Sequence, residues 1–490
     1  MRLAIGAALV LAIAGTASAA TTRKVPADYA NIQAAEDACV DGDTILVAKG
    51  RYILAAQVDF DVPNIKIVGA GAIVDGTSTG GADNIAFYVN ASGISITGFK
   101  FVNGSNLIYS DGANLKVTKC TFTDPSDSAI YLNTGSGAIV EGCKFFGSES
   151  RAIEGYVTNV RISKNSVRSC DDEGFYINGT GARFESNTLL GIGNEGIDND
   201  TAANAVVLKN KISVATADGI EVTGADVVIE GNTIKMCDTD FGINVDGASP
   251  LVNKNKVTDT GGGILVVNAD NCEVLANKIT DVHDGEAGVE VEADNMTVVG
   301  NSVLRGVGYS YGFYLYSQTV AGTGLVEKNS CAEMDDAGFY LGNSWFNGVE
   351  VRNCTAKNCG IYDSWGFYVQ GSTGSTFEGL KATGIDNTGI YQDSGDNNVY
   401  TKCAVSGVYG DGFRIYGDNN DFIDCTAAKC GGEGFDNRGG TGGAGVATTL
   451  TGGKYRGDRN DVANDTTGGA FIVLVNVDKV TPGTPQSQVD

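Results

Sequence analysis

One short unit recurs about every 22 to 28 residues along most of this 490-residue chain. Its clearest copy is Gly174-Phe175-Tyr176-Ile177. Relatives include Ala129-Ile130-Tyr131-Leu132, Gly196-Ile197-Asp198-Asn199, Gly219-Ile220-Glu221-Val222, Gly312-Phe313-Tyr314-Leu315, Gly338-Phe339-Tyr340-Leu341, Gly366-Phe367-Tyr368-Val369 and Gly412-Phe413-Arg414-Ile415. Apolar positions alternate within each copy, as they do in a strand that buries one face. A fixed period of such strands predicts a solenoid, each coil covering the core of the one before. Length alone would suggest several domains; a solenoid instead extends a single core.

Each copy divides into three short strands. In one example, residues 160–163 precede the turn Lys164-Asn165, then Ser166-Val167, then a loop, then Gly174-Phe175-Tyr176-Ile177. The turn position is Asn165, Asn187, Asn210, Asn232, Asn255, Asn277, Asn301, Asn329 and Asn353, with cysteine at both ends of the series. Asparagine tolerates the left-handed backbone that a sharp corner needs. Stacked one per coil, the amides are also expected to hydrogen-bond as a ladder. Residues 29–39 (YANIQAAEDAC) predict a helix capped by Asp28, with Ile32, Ala35 and Cys39 on one face. Such a helix would cover the open end of the solenoid, which otherwise exposes core and strand edges.

Composition narrows the partners. The formal charge is −25, which disfavours nucleic acid and anionic membranes, and also anionic polysaccharides unless a divalent cation intervenes. Arg2, the apolar residues 3–14 and Ala17-Ser18-Ala19 read as a secretory leader. No later stretch is long enough to span a bilayer. The expected organisation is a signal peptide at 1–19, a cap and first coil at 20–54, the solenoid at 55–478 and a polar tail at 479–490. The mature protein is expected to be secreted, periplasmic or on the cell surface. Export permits disulfides, but the 12 cysteines follow the repeat and predict a buried stack. Cys120–Cys143 and Cys403–Cys425 are the pairs whose coil spacing falls within disulfide range.

The start (NIQAAEDACVDGDTILVAKGRY), the asparagine turns and the Gly-[Ile/Phe]-x-[Val/Leu] strands resemble the pectin-lyase-like right-handed parallel β-helix superfamily. The resemblance implies an all-β fold: a right-handed, single-stranded parallel β-helix of about sixteen coils with a short N-terminal capping helix. It also implies relatives as varied as pectate lyases, polygalacturonases, alginate lyases and epimerases, phage tailspikes and copper-insertion proteins, so fold does not choose an activity. The superfamily layout places the Gly-Phe-Tyr-Ile strands in a sheet whose outer face is the usual substrate groove. Alternation then turns Phe175 and Ile177 inward and Tyr176 and Asn178 outward.

Two patches emerge on the outward columns. The first is acidic: Asp198, Asp200, Glu221 and Asp246. Asp198 and Asp200 would share a face about 7 Å apart, with Glu221 about 5 Å from Asp198 on the next coil. Asp198, Asp200 and Glu221 are candidate catalytic carboxylates, since such spacings overlap those of glycoside hydrolysis. All four are candidate calcium ligands, and a solvated acidic face is the third reading. The second patch is aromatic: Tyr314, Tyr340, Tyr368 and Tyr391 on successive coils, with Tyr311, Tyr316 and Trp365 nearby and Trp345 in an adjoining loop. Beside Gln370, Asp393 and Arg414, such a row suits a neutral glycan; plain cross-strand stacking is the competing reading.

Several activities lose support. The Gly-His-Gly and Arg-Ile-Lys motifs of polygalacturonases and the Asp-Pro-His-Glu type of motif of alginate epimerases are absent, and His283 is the only histidine. Arg414 and Arg438 are the only basic residues on the outer columns. A compact Arg414–Asp436–Asp393–Tyr391 group carries no known motif. The expectation is therefore an exported protein that binds, and in one version modifies, a polysaccharide on this face. A non-enzymatic structural or adhesive protein is the alternative, and a lyase or hydrolase the third reading.

Overall fold

The computed structural model describes residues 20–77, 84–319, 324–342, 346–361, 364–438, 448–457, 462–464 and 472–475. The leader, Trp345 and the polar tail lie outside the described residues. Three parallel sheets wrap one core in a solenoid of about 17 turns, one more than the repeat predicts. Representative strands of the first sheet are Arg161–Ser163 and Arg183–Glu185; of the second, Ser166–Cys170 and Thr188–Ile192; of the third, Phe175–Asn178 and Ile197–Asp200. Among the described residues the first sheet has 20 strands. The second and third join into one 34-stranded system, because Thr233–Asp246 and Lys256–Val267 run unbroken from one into the other. In those two coils the intervening loop is replaced by strand.

Strands of three to five residues survive because each is paired on both sides and sealed by a stacked core. Like rings sit above like rings inside: Phe101–Phe122 and Phe122–Phe145 at 5.1 and 4.9 Å, Phe313–Phe339 and Phe339–Phe367 at 4.6 and 4.7 Å, all near-parallel. The glycine that opens each repeat has a steric cause. A Cβ at Gly174 would lie 2.6 Å from the Gly196 carbonyl oxygen, and one at Gly196 would lie 2.5 Å from that of Gly219. From Gly174 onward the coils approach too closely here for a side chain, whereas the earlier coils accept Ala86, Leu107, Ala129 and Ala152 at the same corner.

The amide ladder forms, with two corrections. Asn165 donates its backbone N–H and its Nδ2 to Asn187 Oδ1 at 2.9 and 3.1 Å, and the same pair of bonds recurs from coil to coil as far as Asn301 and Asn329. Each Nδ2 also reaches a carbonyl of the preceding sheet, as from Asn187 to Ile162 at 2.9 Å. The left-handed residue of the corner, however, is the one before the asparagine: Lys164, Ser186, Lys209, Lys254 and Lys328 have φ between 53° and 58°. The asparagine is selected for its amide. Asn353 is itself such a left-handed residue (φ 54°), so the ladder passes to Cys354 and contains eight asparagines. Cys143 ends the other side, donating its N–H to Asn165 Oδ1 at 2.8 Å. All 12 cysteines are buried with free thiols.

The N-terminal helix is shorter than predicted, Ile32–Glu36, and Asn31 caps it by accepting the Ala34 N–H at 2.8 Å. Asp28 is used elsewhere: its backbone N–H bonds to the Lys24 carbonyl and its carboxylate takes the Lys24 N–H, closing a turn ahead of the helix. Ile32, Ala35 and Cys39 are buried as expected. A strand not foreseen, Thr22–Val25, precedes the helix and pairs in parallel with Thr44–Val47. Buried Asp43 anchors this end, taking Arg23 Nη2 at 2.7 Å and the backbone N–H groups of Thr21 and Val40.

Asn232→Ala should cost about 2–4 kcal/mol, because it leaves the buried Asn210 N–H without an acceptor and removes three further bonds. Asn353→Gly, at positive φ and off the ladder, should stay within about 0.5 kcal/mol. Denaturant midpoints of the two variants check the contrast.

Candidate functional site

The outer face of the third sheet is built from columns of residues that the parallel register places one above another. The first column runs Tyr88, Tyr109, Tyr131, Glu154, Tyr176, Asp198, Glu221, Asn244, Leu265, Glu290, Tyr314, Tyr340, Tyr368, Tyr391, Arg414, Asp436, each paired with the next. Their neighbours in the strand, such as Phe175 and Ile177, are fully buried, so these side chains face out. The face divides into three zones: aromatic, acidic, aromatic.

The aromatic zone read from sequence is contiguous. Ring centroids are 4.6 Å apart for Tyr314–Tyr340, 4.8 Å for Tyr340–Tyr368 and 5.4 Å for Tyr368–Tyr391, the last pair near-parallel. Trp365 enters from the preceding loop and stacks on Tyr368 and Tyr391 at 4.5 and 5.2 Å. Tyr311 and Tyr316 flank Tyr314 at 5.5 and 5.1 Å. The rings are half-buried, and their hydroxyls are held: Tyr340 donates to Gln370 Oε1, Tyr391 to Asp393, and Tyr316 to Glu292. Arg414 pairs with Asp411 at 2.6 Å and with Asp436 at 3.7 Å, and Arg438 bonds Asp436 at 2.7 Å. Both guanidiniums are thus committed to carboxylates. A second tyrosine row, Tyr88–Tyr109–Tyr131, extends the column beyond the residues the repeat pattern picks out. Its rings lie 5.5 and 5.0 Å apart, and its first two members follow Ala86 and Leu107 in place of the repeat glycine.

In the acidic zone the structure regroups the predicted residues. Asp198, Glu221 and Asn244 lie on successive coils, with Asp200 beside Asn178 and Asp246 beside Thr223. The carboxylates that converge are Glu173, Glu195 and Asp198, whose oxygens lie within 4.8 Å of one another; Asp200, Glu221 and Asp246 stand outside that group. Asp200 accepts the Tyr176 hydroxyl at 3.1 Å, and Asp246 accepts Asn268 Nδ2 at 2.8 Å. Glu173 and Glu195 belong to a third column, formed by the residue before the repeat glycine, which also carries Asp218, Tyr311, Trp365, Asp411 and Glu433. Backbone bonds from each glycine to this position on the next coil, Gly174 to Glu195 and Gly196 to Asp218, hold it in register. Reading the residue before each glycine, beside the two alternating positions after it, would have found this column.

Burial and mutual repulsion set the electrostatics. Asp198 is 9 % exposed. Its carboxyl is pushed up to about 8 by burial first, then by Asp200, Glu221, Glu195 and Glu173. Burial likewise raises Asp218 to about 8, despite bonds from Asn244 Nδ2 and the Phe241 N–H, and raises Glu290 to about 7 with help from Glu286 and Glu292. Arg151 offsets part of the zone: it binds Glu173, pairs with Glu154 at 3.3 Å and Asp172 at 3.1 Å, and lies over the Tyr176 ring at 4.8 Å. His283 is held apart, at 2.9 Å from Asp284.

These shifts fix a pH dependence. A carboxyl whose folded value lies above its unfolded value binds its proton more tightly in the folded state, so folding loses stability as pH rises through the interval between the two. In metal-free buffer with EDTA, Asp198, Asp218 and Glu290 should make the protein more stable at pH 5.5 than at pH 8.5. Tm across that range measures it, and Asp218→Asn should flatten the slope.

Among the described residues no helix is long and apolar enough to cross a membrane. No curated protein matches the chain. Among solved structures, the surface adhesin PfbA of Streptococcus pneumoniae aligns at 11% identity over 70% of this chain and 87% of its own, with a TM-score of 0.36. The Dettilon tailspike protein aligns at 14% over 69% and 60%, TM-score 0.36. The alginate lyase AlyF-OU02 aligns at 14% over 80% and 81%, TM-score 0.31. The family model for a right-handed β-helix region matches residues 64–212, 173–319 and 287–451. These overlapping matches run through most of the solenoid, and the chain belongs to the right-handed β-helix family.

Proposed function

We propose that this protein is exported and binds a neutral polysaccharide along the outer face of the third sheet, with the Tyr314–Tyr391 zone as its platform. The observation that carries this reading is the unbroken run of half-exposed rings Tyr314, Tyr340, Tyr368, Trp365 and Tyr391, each within about 5.5 Å of the next. Sugar rings present apolar C–H faces and polar edges. An aromatic surface takes the faces, as it does the bodies of other amphipathic ligands. Gln370, Asp393 and Tyr316 line its margin and can take hydroxyls. The alternating pitch of the coils, about 4.8 Å, is close to the rise of one sugar unit in an extended glycan, so successive coils can meet successive units.

The surrounding charge favours a neutral chain. Asp393, Glu290 and Glu292 flank the rings, while Arg414 is neutralised by Asp411 and Asp436. An anionic glycan would meet carboxylates with no free cation beside them among the described residues.

A glycan array probed with the purified protein, with and without calcium, checks this reading. Binding to neutral glycans is expected, and Tyr340→Ala with Tyr368→Ala should weaken it at least about tenfold, the loss of two stacked contacts of about 1 kcal/mol each. Absence of binding by the parent protein would leave the rings as cross-strand stacking in a structural or adhesive protein. New reducing ends or unsaturated-uronate absorbance would add catalysis to binding.

A further inference from the structure

The solenoid carries the same three-acid arrangement twice. Each consists of an acid before the corner glycine of one coil, an acid before the corner glycine of the next, and an aspartate three residues further along that second coil. The copies are Glu173, Glu195, Asp198 and Asp411, Glu433, Asp436, and in each the carboxylate oxygens come within 4.8 Å of one another. One copy therefore serves as an internal reference for the other.

In the second copy two guanidiniums supply the countercharge. Arg414, three residues after Asp411, reaches Asp411 at 2.6 Å and Asp436 at 3.7 Å; Arg438, two residues after Asp436, reaches it at 2.7 Å. In the first copy the corresponding residues are Tyr176 and Asp200. The first brings no charge and the second adds another negative one. Arg151 binds Glu173 but also serves Glu154 and Asp172. Among the described residues neither Glu195 nor Asp198 is in an ion pair. Asp198 is 9 % exposed, and its Oδ1 is buried with no hydrogen-bond partner. A buried, unpartnered carboxylate oxygen beside two further carboxylates is costly unless something positive joins them.

We propose that Glu173, Glu195 and Asp198 hold a divalent cation, of the calcium class, that clamps adjacent coils where arginine does so in the sister copy. The donors are oxygens only, which selects a hard cation over zinc or copper. Calcium accepts six to eight oxygens at about 2.3–2.6 Å in flexible geometry, so three carboxylates and water suffice; magnesium demands a stricter octahedron and releases its water reluctantly. Glu173 comes from one coil and Glu195 and Asp198 from the next, as Asp411 and Asp436 do around Arg414. The role is structural, independent of the glycan platform, which lies several coils away.

The full chain, stripped with EDTA, is titrated with calcium, magnesium and terbium while Tm and terbium luminescence are followed. Calcium should raise Tm by several degrees with one-site saturation, magnesium should act more weakly, and terbium should emit on excitation of the nearby Tyr176. Asp198→Asn and Glu195→Gln should each weaken calcium binding about tenfold or more, since one charged ligand is lost. Tyr176→Arg, which restores the missing guanidinium, should raise the metal-free Tm and abolish the calcium response. Either of two results would overturn the proposal: no response of Tm or luminescence to any of the three cations, or a calcium response that persists unchanged in both Glu195→Gln and Tyr176→Arg.

Discussion

In-register parallel pairing between successive coils, about 4.8 Å apart, is the constraint from which the rest follows. It places each residue directly against its counterpart one turn on, so any side-chain choice is repeated contact with its own kind. Apolar residues gain from that arrangement, and the interior becomes files of stacked phenylalanines. Asparagine gains because its amide is donor and acceptor at once, and one type of residue can satisfy the next. Glycine takes the corner from Gly174 onward, where a Cβ would meet the neighbouring carbonyl.

Carboxylates are the residues for which such stacking is unfavourable, and the outer face shows how the molecule manages it. At one end, Arg414 and Arg438 sit among Asp411 and Asp436. In the middle, Arg151 reaches three acids from one position. Elsewhere burial and neighbouring charge hold carboxyls toward their protonated forms, as at Asp218 and Glu290. Tyrosine relieves the same positions differently, exposing a polar edge while its ring stacks on the ring of the next coil. The alternation of acidic and aromatic zones is thus a sequence of solutions to one geometric problem.

Much of this was legible before the structure, because alternation within a strand and a glycine at its start pin the outer column. Tyr314, Tyr340, Tyr368 and Tyr391 fall where that pattern puts them. The limits were local. The residue before the glycine faces the same side as the residue two beyond it, a break in alternation caused by the corner, so Glu173 and Glu195 went unread. Asn353 looked like a ladder member because the turn offers two adjacent positions that favour asparagine for different reasons, one conformational and one for hydrogen bonding. The helix lost its first turn to a competing bend at Asp28. The unbroken strands Thr233–Asp246 and Lys256–Val267 carry no sequence mark, because the connecting residues there differ by only one in length from those of the coils just before Thr233.

The amide ladder has a direction. From Asn165 to Asn301 the backbone N–H is received by the amide of the following coil, so no coil in this stretch is complete until its successor has been laid down. A chain emerging from its N-terminal end would therefore always present one open row of donors, a template that recruits the next segment as it arrives. The row closes on cysteine at both limits: Cys143 gives its N–H to Asn165, and Cys354 receives Asn329 Nδ2 only at 4.0 Å.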